Sequence, residues 1–184
     1  MIKLASIKKI PKYLTHQDIN DSDFRLTLDS PLGRLCIITS EKGLKAIHLI
    51  GDFEPENHEN EHTHHASTQL QEYFSGRLFC FELTFDTAIY SDFANRVWSE
   101  LVRIPYGKTI SYSELALRLG DPLCIRAAAS ANGRNPIPII IPCHRVIGSD
   151  GSLTGFAWGL DIKQRLLAHE NPARFGVRQI DIFA

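Results

Sequence analysis

The chain has 184 residues, 43 % apolar and 22 % charged, the balance of a folded globular protein with room for one large or two small domains. Twenty basic and twenty-one acidic residues leave a formal charge of −1, which taken alone argues against a strongly basic nucleic-acid binder. No run approaches the roughly 18 apolar residues of a membrane span, and Met1 to Ile10 lacks a signal-peptide apolar stretch, so no membrane partner and a cytosolic location are expected.

In chain order, Phe24 to Leu28 alternates as a strand and Ser30-Pro31-Leu32-Gly33 reads as a turn. Leu35 to Thr39 is a second strand, Glu41-Lys42-Gly43 a second turn, and Leu44 to Ile50 a third strand, together an antiparallel meander. Gly51 to His65 is acidic, histidine-rich and without periodicity; His58, His62, His64 and His65 fit an exposed loop better than a metal site. Ala66 to Ser75 predicts a short helix ended by Gly76, Phe79 to Phe85 a further strand, and Asp86 to Ser91 a linker between domains 1–90 and 91–184.

In the second half, Phe93, Val97, Leu101 and Ile104 recur at helical spacing until Pro105-Tyr106-Gly107. Ser111 and Glu114 have the spacing of a capping box, Gly120 stops the helix they start, and Asp121-Pro122 opens the next. Two short helices about a glycine turn outline a helix-turn-helix. The second of them carries Arg126 and then Ala127-Ala128-Ala129-Ser130-Ala131. A helix so free of bulk either packs closely on a neighbour or enters a groove about 6 Å wide, as the DNA minor groove is.

Charge divides the same way. Residues 1–90 hold nine basic and thirteen acidic side chains, residues 91–184 eleven and eight. Between Arg96 and Arg145 seven basic residues meet three acidic ones, an excess of roughly four phosphates' worth of salt-sensitive attraction if that segment meets DNA.

The four cysteines, Cys36, Cys80, Cys124 and Cys143, lie far apart without a CxxC pair, which fits neither a disulfide framework nor a zinc knuckle. Cys143 stands out. A rigid, apolar run of prolines and isoleucines from Asn135 leads into it, and His144 and Arg145 follow at once. A buried thiol beside a base and a cation suits an activated nucleophile; an inert core cysteine and, more remotely, a metal ligand remain open on the residues alone.

Ile141-Pro142-Cys143-His144-Arg145-Val146, with Asn135-Pro136 before it and Leu166-Leu167-Ala168-His169-Glu170 after it, resembles the O6-alkylguanine-DNA alkyltransferases, the methylated-DNA–protein-cysteine methyltransferases. The likeness runs through Tyr106-Gly107-Lys108-Thr109-Ile110-Ser111-Tyr112 and Arg126-Ala127, covering Phe93 to Glu170 in order, and more weakly through Pro31 to Ile47. It implies an α/β N-terminal domain of ribonuclease-H-like shape and a mainly α, winged helix-turn-helix C-terminal domain. The implied partner is double-stranded DNA carrying O6-alkylguanine, and by extension O4-alkylthymine, bound through the minor groove with the damaged nucleotide rotated out of the stack. A monomer is expected, in the cytoplasm, nucleoid-associated if bacterial and nuclear if eukaryotic.

By the same resemblance Cys143 is the alkyl acceptor, His144 takes its proton through a water, Glu170 orients His144, and Asn135 holds the adjoining turn and the thiol. Arg126 would fill the gap in the stack and Tyr112 would turn the nucleotide. Ala127, Ala131 and Arg134 would complete the DNA-binding face, and Val146, Phe156, Ala157 and Trp158 would join Tyr112 in lining the substrate pocket. Backbone carbonyls of Cys143 and Val146 would accept from the guanine amino group. The thioether product has no easy leaving group, so one turnover and no cofactor are expected. Cys36 and Cys80 do not match the cysteines that hold zinc in some members, so no metal is expected. Three departures matter: Ala128-Ala129-Ser130 replaces a more glycine-rich run, Phe156-Ala157 replaces Tyr and Ser, and Trp158 replaces glycine, which would narrow the pocket against benzyl-sized adducts. A non-catalytic lesion sensor is the alternative; a cysteine hydrolase is disfavoured, because adjacent Cys and His seldom face each other as a dyad.

Overall fold

A computed structural model describes residues 22–51, 55–86 and 90–176; the histidine-rich segment and the linker fall partly outside them. The chain divides into two compact units near residue 90, with Pro136–Pro138 grouped with the first although they lie within 91–184.

In the first unit, β1 (Phe24–Ser30), β2 (Gly33–Ser40) and β3 (Gly43–Leu49) form the expected meander. The register pairs Leu26 with Ile37 and Ile37 with Ile47. The central strand is buried on both faces, since consecutive Leu35, Cys36, Ile37 and Ile38 are all sealed from solvent. That explains why its sequence reads as a continuous apolar run. The Ile47 N–H donates to the Pro136 carbonyl at 2.9 Å.

Two expectations in this half are corrected. Helix α1 (Glu61–Phe74) begins inside the segment read as loop. Asn60 and Thr63 cap it reciprocally, a capping box written with Asn and Thr rather than Ser and Glu. Phe79 to Phe85 forms no strand; its one bridge joins Phe85 to Leu44. The buried Gln69 side chain accepts from the Glu82 N–H at 2.8 Å and donates to its carbonyl at 2.9 Å. A side chain of α1 thereby takes the place of a neighbouring strand.

The second unit is mainly helical: α2 (Asp92–Val102), α3 (Tyr112–Arg118), α4 (Ile125–Gly133), α5 (Leu160–Glu170) and the short α6 (Pro172–Phe175). A two-residue parallel pair joins β4 (Ile110–Ser111) to β5 (Val146–Ile147). The 3-10 turn Pro122–Cys124, capped by Asp121, links α3 to α4 in the expected helix-turn-helix outline. Ser111 accepts from the Glu114 N–H, while the Glu114 carboxylate turns to Arg118 at 2.6 Å.

Candidate active site and nucleic-acid interface

Ile137, Ile139, Ile140 and Ile141 are buried, as the rigid apolar lead-in requires. Ile139 holds a φ of +77°, a region a β-branched residue rarely enters, so the chain turns sharply there at a local cost. Cys143 to Arg145 then form a 3-10 turn that feeds β5. The turn leaves Cys143 only 3 % exposed. Burial pushes its thiol up to about 11, against a hydrogen bond with Asn135 and the field of Lys163. Asn135 also donates to the Ile141 carbonyl at 2.7 Å, fixing the lead-in.

His144 is fully buried, with Nε2 at 2.8 Å from Glu170 Oε1. Burial holds the imidazole pKa down, against the opposing pull of Glu170. Burial alone would raise the Glu170 carboxyl, but the hydrogen bonds and charges of His144 and Arg145 hold it well below the carboxylate range. An ionised acceptor at Nε2 puts the imidazole proton there and leaves Nδ1 with a lone pair. Nδ1 is buried without a hydrogen-bond partner among the described residues.

Arg145, counted in the sequence among the basic residues of the Arg96–Arg145 segment and read as the cation beside Cys143, is internal. It grips Glu170 through Nε at 2.8 Å and Nη2 at 2.9 Å and donates to the Ile104 carbonyl at 2.6 Å. Glu170 also accepts from the Gly107 N–H at 3.1 Å. Gly107 has a φ of +71°, and a Cβ there would lie 2.9 Å from the Glu170 carbonyl oxygen. The Pro105-Tyr106-Gly107 turn, legible as a helix stop and as part of the resemblance, therefore also supports the carboxylate that holds His144.

Two further residues escaped the sequence reading. Lys163 is sealed from solvent and donates to the carbonyls of Val146 at 2.6 Å and Thr154 at 2.7 Å. Its ammonium lies 5.9 Å from the Tyr112 ring centroid, and desolvation lowers its pKa to about 8, with Cys143 opposing. Asn132 donates to the Cys143 carbonyl at 3.4 Å. Both carbonyls expected to receive guanine thus already serve donors: that of Cys143 accepts from Asn132 and from the Val146 N–H, and that of Val146 from Lys163. The only signal for Lys163 was a lysine on the apolar face of a helix.

Tyr112, the first residue of α3, is half-buried and donates weakly to the Thr154 and Gly155 carbonyls at 3.4 and 3.5 Å. Burial raises its phenol pKa, against contacts with Thr154 and Asn132. Phe156 and Ala157 are half-buried; Trp158 is buried and meets the Phe156 ring edge-on at 6.1 Å.

On α4, Arg126 and Ala127 are exposed, as is Arg134 at its C-terminal cap. Ala131 is not: it is buried, α4 packs on α2 there, and its carbonyl accepts from the Trp98 indole at 3.0 Å. Ala127 and Ala131 are four residues apart, so the helical period alone puts them on one face; packing against α2 is what separates them. Ala131 is therefore removed from the outward face.

The histidines do not converge. His58 stacks on Phe24 at 4.7 Å, His64 pairs with Glu59 at 3.0 Å and His65 meets Gln69 at 2.9 Å. Among the described residues no three His, Cys, Asp or Glu side chains form a metal-binding group, and no helix is long and apolar enough to cross a membrane.

Residues 92–172 match the family model of the 6-O-methylguanine DNA methyltransferase DNA binding domain, and residues 24–87 that of its ribonuclease-like domain. A methylated-DNA–protein-cysteine methyltransferase of Methanosarcina barkeri is 46 % identical over 149 residues, covering 78 % of this chain and 94 % of the relative. The chain belongs to the methylated-DNA–protein-cysteine methyltransferase family. A methyltransferase of that name from Mycolicibacterium paratuberculosis is 44 % identical over 78 % of the chain and 90 % of its own length. The solved O6-methylguanine methyltransferase of Mycobacterium tuberculosis superposes with a TM-score of 0.73 at 39 % identity, over 82 % of this chain and 93 % of that one. The OGT protein of the same organism in complex with DNA gives 0.71 at 40 %, over 79 % and 91 %. In this methyltransferase, Cys143 and its buried network lie within the span matched as the DNA-binding domain.

Proposed function

We infer that this protein repairs DNA by direct reversal, moving the alkyl group of O6-alkylguanine, and by extension O4-alkylthymine, onto Cys143 in one irreversible step. The observation that carries the reading is a sealed thiol beside an imidazole whose Nε2 is held by Glu170 and whose Nδ1 is bare. With its thiol near 11, Cys143 is thiolate in only about one molecule in 10⁴ at pH 7, so the proton must leave as part of the reaction. His144 Nδ1 accepts it through a water, and the resulting imidazolium rests against Glu170. The thiolate attacks the alkyl carbon in line with guanine O6; the S–C bond forms, the C–O6 bond breaks, and its electron pair goes to the purine. Tyr112 supports the departing base as donor. Arg145 neutralises Glu170, so His144 gains orientation without an excess negative charge opposing the thiolate.

Arg126 and Ala127 enter the minor groove from the exposed face of α4, with Arg134 beside them, while the damaged nucleotide turns into the pocket of Tyr112, Val146, Phe156, Ala157 and Trp158. The protein acts as a monomer wherever the cell keeps its DNA, in cytoplasm, nucleoid or nucleus. Incubation with duplex DNA carrying labelled O6-methylguanine tests the reading. One methyl mass on Cys143 and a single turnover are expected; no label, or repeated turnover, overturns it.

A further inference from the structure

Leu123 is 91 % exposed, the most solvent-open large apolar residue among those described. It is not on a loose loop. Pro122 opens the 3-10 turn, and the Leu123 N–H donates to Asp121 Oδ1 at 2.8 Å, so the side chain is presented from a fixed backbone. The turn runs directly into α4, with Arg126 three residues on and part-exposed Ile125 between them. In a helix-turn-helix the N-terminal end of the second helix is the part that meets DNA. The surface there combines Arg126 with bare leucine rather than a second cation. A large apolar side chain fully in water forgoes burial that a partner would recover, and groove-binding proteins use such residues against base steps and sugars.

We propose that Leu123 is an apolar DNA contact, seated on the deoxyribose wall of the minor groove beside the entry point of Arg126. The inference rests on the DNA reading above. Leu123 adds affinity that does not come from displaced counterions, so it compensates for the modest cationic charge of the face. A small polar replacement loses contact area without changing the number of phosphates neutralised.

The test compares wild type, Leu123→Ser and Leu123→Met for binding to a short duplex that holds one protein and to a longer one that holds two, each with and without O6-methylguanine, across a salt series. It also compares their transfer rates from the shorter duplex and from free O6-methylguanine. Leu123→Ser is expected to bind about fivefold more weakly, with an unchanged salt slope, an unchanged rate on the free base and an unchanged melting temperature. Leu123→Met restores binding. Unchanged duplex affinity, a shallower slope, or equal losses on duplex and free base would each overturn the assignment. A loss confined to duplexes long enough for two proteins would assign Leu123 to a contact between copies and overturn it too. Failure of wild type to transfer from the duplex would instead strike the proposed function.

Discussion

Glu170 accepts from His144 Nε2, from Arg145 twice and from Gly107, so Glu170→Gln changes charge with little change of shape. The substitution leaves the buried Arg145 guanidinium without its counter-charge, a loss of about 3–5 kcal/mol. For a chain of this size that lowers the melting temperature by roughly 10 °C. The amide can also turn its NH₂ toward His144, which would move the imidazole proton to Nδ1 and remove the base. The transfer rate of the folded protein should fall about 10²-fold. The two effects separate in Glu170→Gln/Arg145→Met, which removes both charges: at least half the stability returns while the rate stays low. Thermal melts and single-turnover labelling well below the midpoint read both. The acid limb supplies a third check. The folded Glu170 carboxyl lies below its ordinary value, so its contribution is present above about pH 4.5 and is lost as pH falls further; the Gln variant lacks that loss. A destabilised Glu170→Gln with wild-type rate would refute the orienting role. A double variant that regains rate along with stability would show that charge, not the tautomer, is what matters.

Lys163→Met deprives Val146 and Thr154 of their shared donor and should slow transfer at least tenfold. Because the ammonium pKa is about 8, the wild-type rate should flatten above that pH as the charge supporting the thiolate is lost; an equal flattening in the variant would refute the link. Trp158→Gly should raise inactivation by free O6-benzylguanine with little effect on O6-methylguanine, and equal benzylguanine rates in both proteins would sink the narrowing role. The salt dependence of duplex binding should be shallower than the composition suggested. Arg145 is internal, Arg103 and Arg118 pair with Glu100 and Glu114, and Arg96 donates to the Leu119 carbonyl, leaving Lys108, Arg126 and Arg134 and a slope of about −3. A slope near −10, as for a repressor, would show that other cations reach the DNA.

What the sequence determined by itself was local. Turn residues and alternation placed the three strands, Asp121-Pro122 and Gly120 bounded the helix-turn-helix, and the run around Cys143 singled that cysteine out and carried the family resemblance. These signals survive in one dimension because each rests on backbone conformation or on residues a few positions apart. The near-neutral charge, which argued against a DNA partner, was an average over two unlike units. Only the tertiary structure decided which charges face outward: it turned Arg145 inward onto Glu170 and sealed Ala131 under α2. It also brought Gly107 to Glu170, Lys163 to the carbonyls of Val146 and Thr154, and Asn132 to Cys143. Those roles depend on burial and on meetings between distant segments, and a lysine or a glycine carries no mark of its future neighbour.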